Sequence, residues 1–560
     1  MVPARSPHRT HSERGIALAA AILVVLMSSI IVATFMTTTV GERAMSSNVQ
    51  IAKASLYAAD AGVRTEQQWL ANFAQAKVDS CVAAWNGMDS LVIKNPGAIF
   101  PNGVFTVASS NPPFSASGTI AWADTDITKQ MQAYDYRFTI QSQGTVGNGG
   151  TRRVQASGNL RLSATRGTFA DYLIFLENHT STSGAAIWFT SSVTFDGRVH
   201  ANDMLHFAFK PTFYDAVTST NSRAMFNNNG SPKTLAANNN GTIDVPNFGN
   251  GFYRGQPDIP LPTNAYNQQQ EALGNAGATT SPTNSYVNGV LGTGAGSSTP
   301  PNGIYMVNSG GASATTGAMT GGLYIQGRLD KCKMWADTVG NRQWYQFTQG
   351  STVKTVCVDP ASGGSTKVWN GSSFSGSPDA SFTGVPNGQL FVNGSISDLR
   401  GPDRTSGGLV LPAVAEGNKM LLTANGDITL TRDLTYDSYD KAANVLGIFT
   451  PVGAVHVGSG APDNLNLDAF VMATDATDGQ FTVDNYNSGS SRGIFNLRGG
   501  ITETFYGPFF TFDTRTGKLL TGYGRNFRYD KRGLVPPCYP TTLRFNSNMP
   551  TARTLSWKEI

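Results

Sequence analysis

The sequence predicts an α+β chain: one long N-terminal helix with a small antiparallel sheet, then a large, mostly β domain of β-solenoid type. Three observations predict it. Residues 16–40 run for 25 positions without a charge. The stretch around Tyr134 alternates apolar with polar side chains, and the text beyond Ala170 repeats short apolar strands closed by glycine.

The helix comes first. At roughly 1.5 Å rise per residue, the charge-free run is long enough to cross a bilayer core. The helical pattern then continues. From Met45, apolar residues recur at Val49, Ala52, Leu56, Ala59 and Val63, stepping by four and three, which paints one stripe on a helix. The helix is expected to end near Lys77. Residues 1–15 read as a leader; Arg5, Arg9 and Arg14 outweigh Glu13 there, which favours a cytoplasmic location. An ordinary secretory signal has an apolar region of roughly 7–15 residues and a small-residue cleavage site after it. This run is longer and no such site follows. An unprocessed single-span anchor is the alternative that the apolar run leaves open.

Next comes a hairpin. Tyr134, Tyr136, Phe138 and Ile140 alternate with Asp135, Arg137 and Thr139. A turn at Gly147, Asn148, Gly149 and Gly150 leads into a return strand from Arg153 to Leu162. Residues 16–165 therefore read as one helix-and-sheet module.

The third part, residues 166–545, repeats itself. Thr194, Phe195 and Val199 recur 18 positions later as Thr212, Phe213 and Val217. Residues 321–329 recur as 388–396, pairing Leu323 with Leu390, Ile325 with Val392, Gly327 with Gly394 and Leu329 with Ile396. The tail of that unit returns near Ile428 and Ile501, and a looser copy sits at Asp196, Gly197 and Val199. Such units bury a continuous core only when stacked. A β-sandwich or propeller is the alternative architecture. Residues 219–320, rich in Asn, Gly, Ser, Thr and Pro, read as long surface loops with a helical fragment near Asn264 to Leu273. Pro536, Pro537 and Pro540 cannot donate to a further ladder and are expected to close the stack. Residues 546–560 read as a C-terminal tail.

Composition agrees with an extracellular surface protein. Charged residues are 14 %, well below the ~25 % of ordinary soluble domains. A net charge of +4 over 560 residues does not by itself imply a nucleic-acid partner. The four cysteines show no C-x-x-C spacing, so no metal and no cofactor are expected. Cys332 with Cys357, which bracket the aromatic insertion of Trp335, Trp344, Tyr345 and Phe347, and Cys81 with Cys538 are the candidate disulfides. Free thiols are the other reading.

Glu42, Arg43, Asn48, Gln50 and the run from Tyr57 to Gly62 resemble the N-terminal signature of PilX-type type IV minor pilins, over roughly residues 12–70. The resemblance implies cleavage by a prepilin peptidase between Gly15 and Ile16, methylation of the new terminus and retention of the helix. Pilins generally carry a glutamate five residues into the mature chain; Ala20 stands there. Its absence suggests a first-placed subunit with no neighbour to neutralise on that side. The segment from Asp171 to Asn202 is similar to the opening of a large domain often attached to PilX-type N-termini. Residues 521–533 resemble the terminal segment of the same long proteins. Competence-associated minor pilins, which carry a β-solenoid and are proposed to receive DNA, are also similar.

No catalytic residues are expected and the chain does not read as an enzyme. His200 and His206 flank Asp203, which a solenoid enzyme acting on polysaccharide could use; hydrogen bonding to the next turn explains His200 as well. No P-loop, nucleophile elbow or H-E-x-x-H is present. From Ile501 to Ile560, nine Lys/Arg face four acids. Tyr523, Arg525, Phe527, Arg528, Tyr529, Lys531 and Arg532 form the candidate nucleic-acid strip, because alternate residues of a strand share a face. Those aromatics filling a last rung is the competing reading.

The expected whole is a large minor pilin, at the pilus tip, that primes assembly and displays an adhesive or receptor surface. Its partners would be other pilins through the N-terminal helix, prepilin peptidase, and extracellular DNA or a host or surface ligand. It would sit in the bacterial inner membrane before assembly and at the cell surface afterwards. A DNA-receptor pilin, a secretion pseudopilin and an anchored solenoid enzyme are the alternatives.

Overall fold

The computed structural model describes residues 12–85, 103–105, 113–127, 131–147, 149–191, 194–337, 340–439, 443–513 and 515–560. They divide into two compact units, residues 1–166 with 544–560, and residues 167–543.

In the first unit one helix runs from Ser12 to Trp85, beyond the end expected at Lys77. Its apolar part, Ile16 to Val40, is exposed throughout, as are Met45 and Val49. Packing starts near Ile51. Ser55, Ala58, Ala59, Val63, Glu66, Leu70 and Ala74 are buried on one face, the three-and-four spacing of an amphipathic helix. The stripe therefore begins later than its sequence pattern suggests. A five-stranded sheet receives it. Phe114–Ile127, Met131–Val146 and Gly150–Thr168 pair antiparallel in sequence, with Tyr134, Tyr136, Phe138 and Ile140 turned to the core. Residues 546–560 are no tail. Thr541–Glu559 is a strand, and the Arg152–Glu559 and Ser157–Ser556 side-chain contacts run it opposite to Gly150–Thr168.

The second unit is mostly β, and its parallel strands stack in three ladders. The first ladder places Leu323, Leu390, Leu422, Ile448, Val471, Ile501, Ile174, Val199, Val217 and Phe252 side by side on successive strands. The second joins Cys332, Leu399, Leu430, Val457 and Val483. The third joins Leu434, Leu467, Leu497, Phe527, Phe195, Phe213 and Phe248. Nearly all these side chains are buried in one continuous core, which no single rung could bury alone.

Two sequence repeats fall into exact register: Phe195 pairs with Phe213 and Leu323 with Leu390. The copy ending at Ile501 does not. Ile396 and Ile428 pair with each other where the first ladder turns into the second, whereas Ile501 and Val199 belong to the first ladder itself. Similar glycine text thus marks two different corners. Gly197 sits at one of them, where a Cβ would stand 2.5 Å from Cβ of Tyr529.

The order of rungs is not the order of the chain. The strands 491–505 and 519–529 pair with Ile174–Asn178 and Thr194–Asp196, so the C-terminal rungs lie in the middle of the stack. Pro536 and Pro537 accordingly close no end. They lie against the outside of the first ladder, where a Cβ on Gly447 would meet Pro536 and one on Gly388 would meet Pro537, each at 2.9 Å. Residues 219–320 are likewise not mere loops. Helices Tyr266–Ala272 and Asn284–Leu291 bury Ala272, Val287 and Leu291 in a second core with Tyr324, Phe391, Phe449 and Phe470. Apolar residues that sparse in polar text show no periodicity, so their packing is not apparent from pattern.

Candidate functional site

The third ladder builds a surface groove because its strands carry a three-residue text in register. Asn466, Leu467 and Asp468 pair with Asn496, Leu497 and Arg498, and these with Asn526, Phe527 and Arg528. The middle residue of each triplet is buried; strand alternation then places both flanking residues on the outer face. The result is a row of amides beside a row of charges. They line a groove of about 490 Å³ together with Val410 and Thr435.

The amide row is a directed hydrogen-bond chain. Asn526 Nδ2 donates to Asn496 Oδ1 at 2.9 Å, Asn496 Nδ2 to Asn466 Oδ1 at 3.2 Å, and Asn466 Nδ2 to Asp433 Oδ1 at 2.9 Å. Asp433 ends the chain and is gripped by Arg404, Nε to Oδ2 at 2.7 Å and Nη2 to Oδ1 at 2.8 Å. Burial opposes ionisation of Asp433, but the bonds from Arg404 and Asn466 prevail and hold its pKa below the usual carboxylate value. On Asn496 and Asn526 each amide nitrogen keeps a second N–H that the chain does not use.

The charged row is unbalanced. Arg498 and Arg528 are register partners on adjacent strands, and like charges placed opposite each other repel. Arg498 Nε is 3.9 Å from Asp468 Oδ1, and burial pushes the Asp468 carboxyl up from its ordinary value. Arg528 is exposed. Its other register partner, Asp196, is taken by Lys531 Nζ at 2.8 Å. Tyr439 lies beside the row with two guanidinium groups over its ring, Arg498 at 3.9 Å and Arg532 at 4.5 Å from its centroid.

The candidate nucleic-acid strip does not survive as a surface. Tyr523, Arg525 and Phe527 are buried, because alternation turns 523, 525 and 527 inward. Arg525 Nη1 donates to Tyr506 Oη at 2.5 Å and Nη2 to the Gly507 carbonyl at 2.8 Å. Tyr529 is half-buried and donates to the Ala170 carbonyl. Arg532 chelates the buried Asp530. Of that strip only Arg528 joins the groove. The triplet spaced by 30 residues was the signal for the rest, and its variable third position hides it.

His200 bonds to Thr218 Oγ1, its partner on the next rung, at 2.9 Å and to Asn202 Oδ1 at 3.0 Å, a structural role. His206 stacks on His179 with centroids 4.8 Å apart; Asp203 accepts from the His179 backbone N–H. Among the described residues no group of three or more His, Cys, Asp or Glu could hold a metal.

The expected Cys332–Cys357 disulfide is absent; both thiols are free and buried. Cys332 opposes Phe347 and Cys357 opposes Trp344 across the same middle strand. Those partners are three residues apart, so the two thiols lie on opposite faces of the sheet, two strands away from each other. The side chain of Cys81 lies outside the described residues, as does most of the leader. Ile16, Ala20, Glu42 and Arg43 are exposed on the helix. Gly62 is buried against the sheet.

Residues 14–64 match the family model described as PilX N-terminal, and residues 133–222 match a domain of unknown function, DUF4900. No curated protein matches the chain. Among solved structures, the chain is similar to the competence-associated pilin ComZ from Thermus thermophilus. The two are 13 % identical over 91 % of this chain and 98 % of that one, at a TM-score of 0.30, too low to establish a shared fold. The chain carries a PilX-type N-terminus and a β-rich head.

Proposed function

We propose that this chain is a large minor pilin placed at the tip of a type IV pilus, where its β-solenoid head displays a binding surface. The observation that carries the reading is the continuity of the PilX-type segment, residues 14–64, with a helix whose apolar half is wholly exposed and long enough to cross a membrane. An apolar helix of that length needs either lipid or other helices around it. Before assembly the inner membrane supplies the first; in a fibre, neighbouring pilin helices supply the second.

Two features support the tip. Ala20 offers no carboxylate to a neighbour's terminal amine, and a second unit spanning residues 167–543 is bulky to repeat along a fibre. The head's work is binding: the groove presents amide and guanidinium donors, and His200 is engaged by Asn202 and by Thr218 of the next rung. Cleavage after Gly15 by prepilin peptidase follows from the same reading. The test is the mass of the mature N-terminus from cell envelopes, with immunogold labelling of fibres. A chain that begins at N-methylated Ile16 and labels only fibre ends is expected. An intact Met1 removes the pilin reading, and label along whole fibres removes the tip.

A further inference from the structure

We propose that the groove over the third ladder binds a linear acidic glycan whose carboxylates sit between Arg498 and Arg528 and whose hydroxyls meet the Asn496 and Asn526 amides. The proposal rests on the display role given to the head. Three observations on the groove carry it.

The first is charge. Arg498 and Arg528 are side by side on neighbouring strands; Asp468 lies at the outer limit of an ion pair from Arg498, and Asp196, beside Arg528 in register, is bound by Lys531. Two adjacent guanidinium groups with so little counter-charge are stabilised by an anion that reaches both, and the planar fork of arginine matches a carboxylate as it does a phosphate. The second is periodicity. Strands repeat at about 4.8 Å, close to the advance per sugar of an extended β-linked chain. A glycan lying across the rungs would therefore meet one amide and one charged position per residue. The spare amide N–H groups are donors for its hydroxyls.

The third observation separates a glycan from single-stranded DNA. Base stacking needs an open aromatic face. Tyr523 and Phe527 are buried, and Tyr529 is half-buried with its hydroxyl on the Ala170 carbonyl. Tyr439, the ring beside the groove, has a guanidinium against it at 3.9 Å and another at 4.5 Å. The groove offers anion and hydroxyl contacts without a stacking platform.

The experiment is equilibrium binding to the full chain in detergent micelles, which needs no pilus and therefore fails independently of the tip reading. The probes are oligomannuronate, a neutral cello-oligosaccharide and oligothymidylate. Oligomannuronate is expected to bind, in a salt-dependent manner, more tightly than the other two. The double variant Arg498→Gln, Arg528→Gln is expected to weaken it at least tenfold, and Arg528→Gln alone, at an exposed position that folding does not need, to weaken it several-fold. Absence of oligomannuronate binding, binding undiminished in both variants, or equal or tighter binding of oligothymidylate would each overturn the proposal.

Discussion

Gly62 of the long helix stands so close to Ser142 of the sheet that a Cβ on the glycine would overlap the serine Oγ and lie 2.8 Å from Cδ2 of Phe114. The contact is reciprocal. A Cβ on Gly144 would lie 2.9 Å from Cβ of Ala58 on the helix. Helix and sheet approach with no room for a side chain at either point, and this seats Ala59, Val63 and Leu70 in the core.

Gly62→Ala should therefore destabilise the first unit by about 1–3 kcal/mol, the usual cost of overpacking a filled core, and Gly62→Leu by more. Ala61→Leu, at the exposed neighbouring position, should cost little. Thermal unfolding of the detergent-solubilised chain distinguishes them; equal effects at 61 and 62 would refute close packing as the cause.

Asp433 is the anchor of the amide chain. It is buried and receives both Arg404 and Asn466. Asp433→Ala strands a guanidinium and removes the terminal acceptor of the row. Breaking a buried pair costs about 3–5 kcal/mol, and Arg404, with its side chain 25 % exposed, sits at the low end because solvent screens it. Asp433→Asn, which keeps an acceptor for Asn466, should lose less. Chemical denaturation of the two variants provides the ranking, and a reversed order would place the stabilisation in something other than the acceptor.

The architecture was legible where residue type and ladder position coincide. Phe195/Phe213 and Leu323/Leu390 are visible as repeats because both members fill the same inward slot of adjoining rungs. The charge-free helix was legible for the same reason, since lipid and core each select one residue class. Other features were hidden by chemistry that pattern does not encode. Asp468, Arg498 and Arg528 share one register position but not one charge, so the groove's repeat is masked. Arg525 reads as a surface cation until its inward position, fixed by Tyr523 and Phe527 on either side, puts it against Tyr506. The permuted rung order depends on pairings between residues over 300 positions apart, such as Ile501 with Ile174, which no local signal carries.

The thiols give a prediction against an oxidising compartment. Burial pushes Cys357 up to about 11 and Cys332 higher still, and the thiolate is the reactive form. Neither should react with maleimide in the native protein. Both should react after denaturation without reductant. A peptide linking residues 332 and 357 in non-reducing mass spectrometry would contradict their placement on opposite faces.

Glu503 is a carboxyl inside the apolar core of the second unit, 1 % exposed. Its Oε2 accepts the backbone N–H of Phe481 at 2.6 Å and of Gly507 at 3.3 Å. Desolvation pushes its pKa up to about 8, although those hydrogen bonds and the nearby Arg525 pull the other way. The folded state therefore holds a proton that the unfolded chain, titrating near the ordinary value of 4.5, releases. Stability from this group is highest below the unfolded pKa and declines as pH rises toward 8, by about 1.4 kcal/mol per unit. Above pH 8 both states are ionised and the decline stops. Glu503→Gln keeps an acceptor for Phe481 and Gly507 without a titrating proton, so its stability should be flat across this window and exceed the parent's at pH 9. Unfolding free energies measured at pH 5, 7 and 9 for both proteins test it. Parallel pH profiles would mean that Arg525 holds the carboxylate ionised, and that the pair is a buried salt link instead of a protonated acid beside a lone guanidinium.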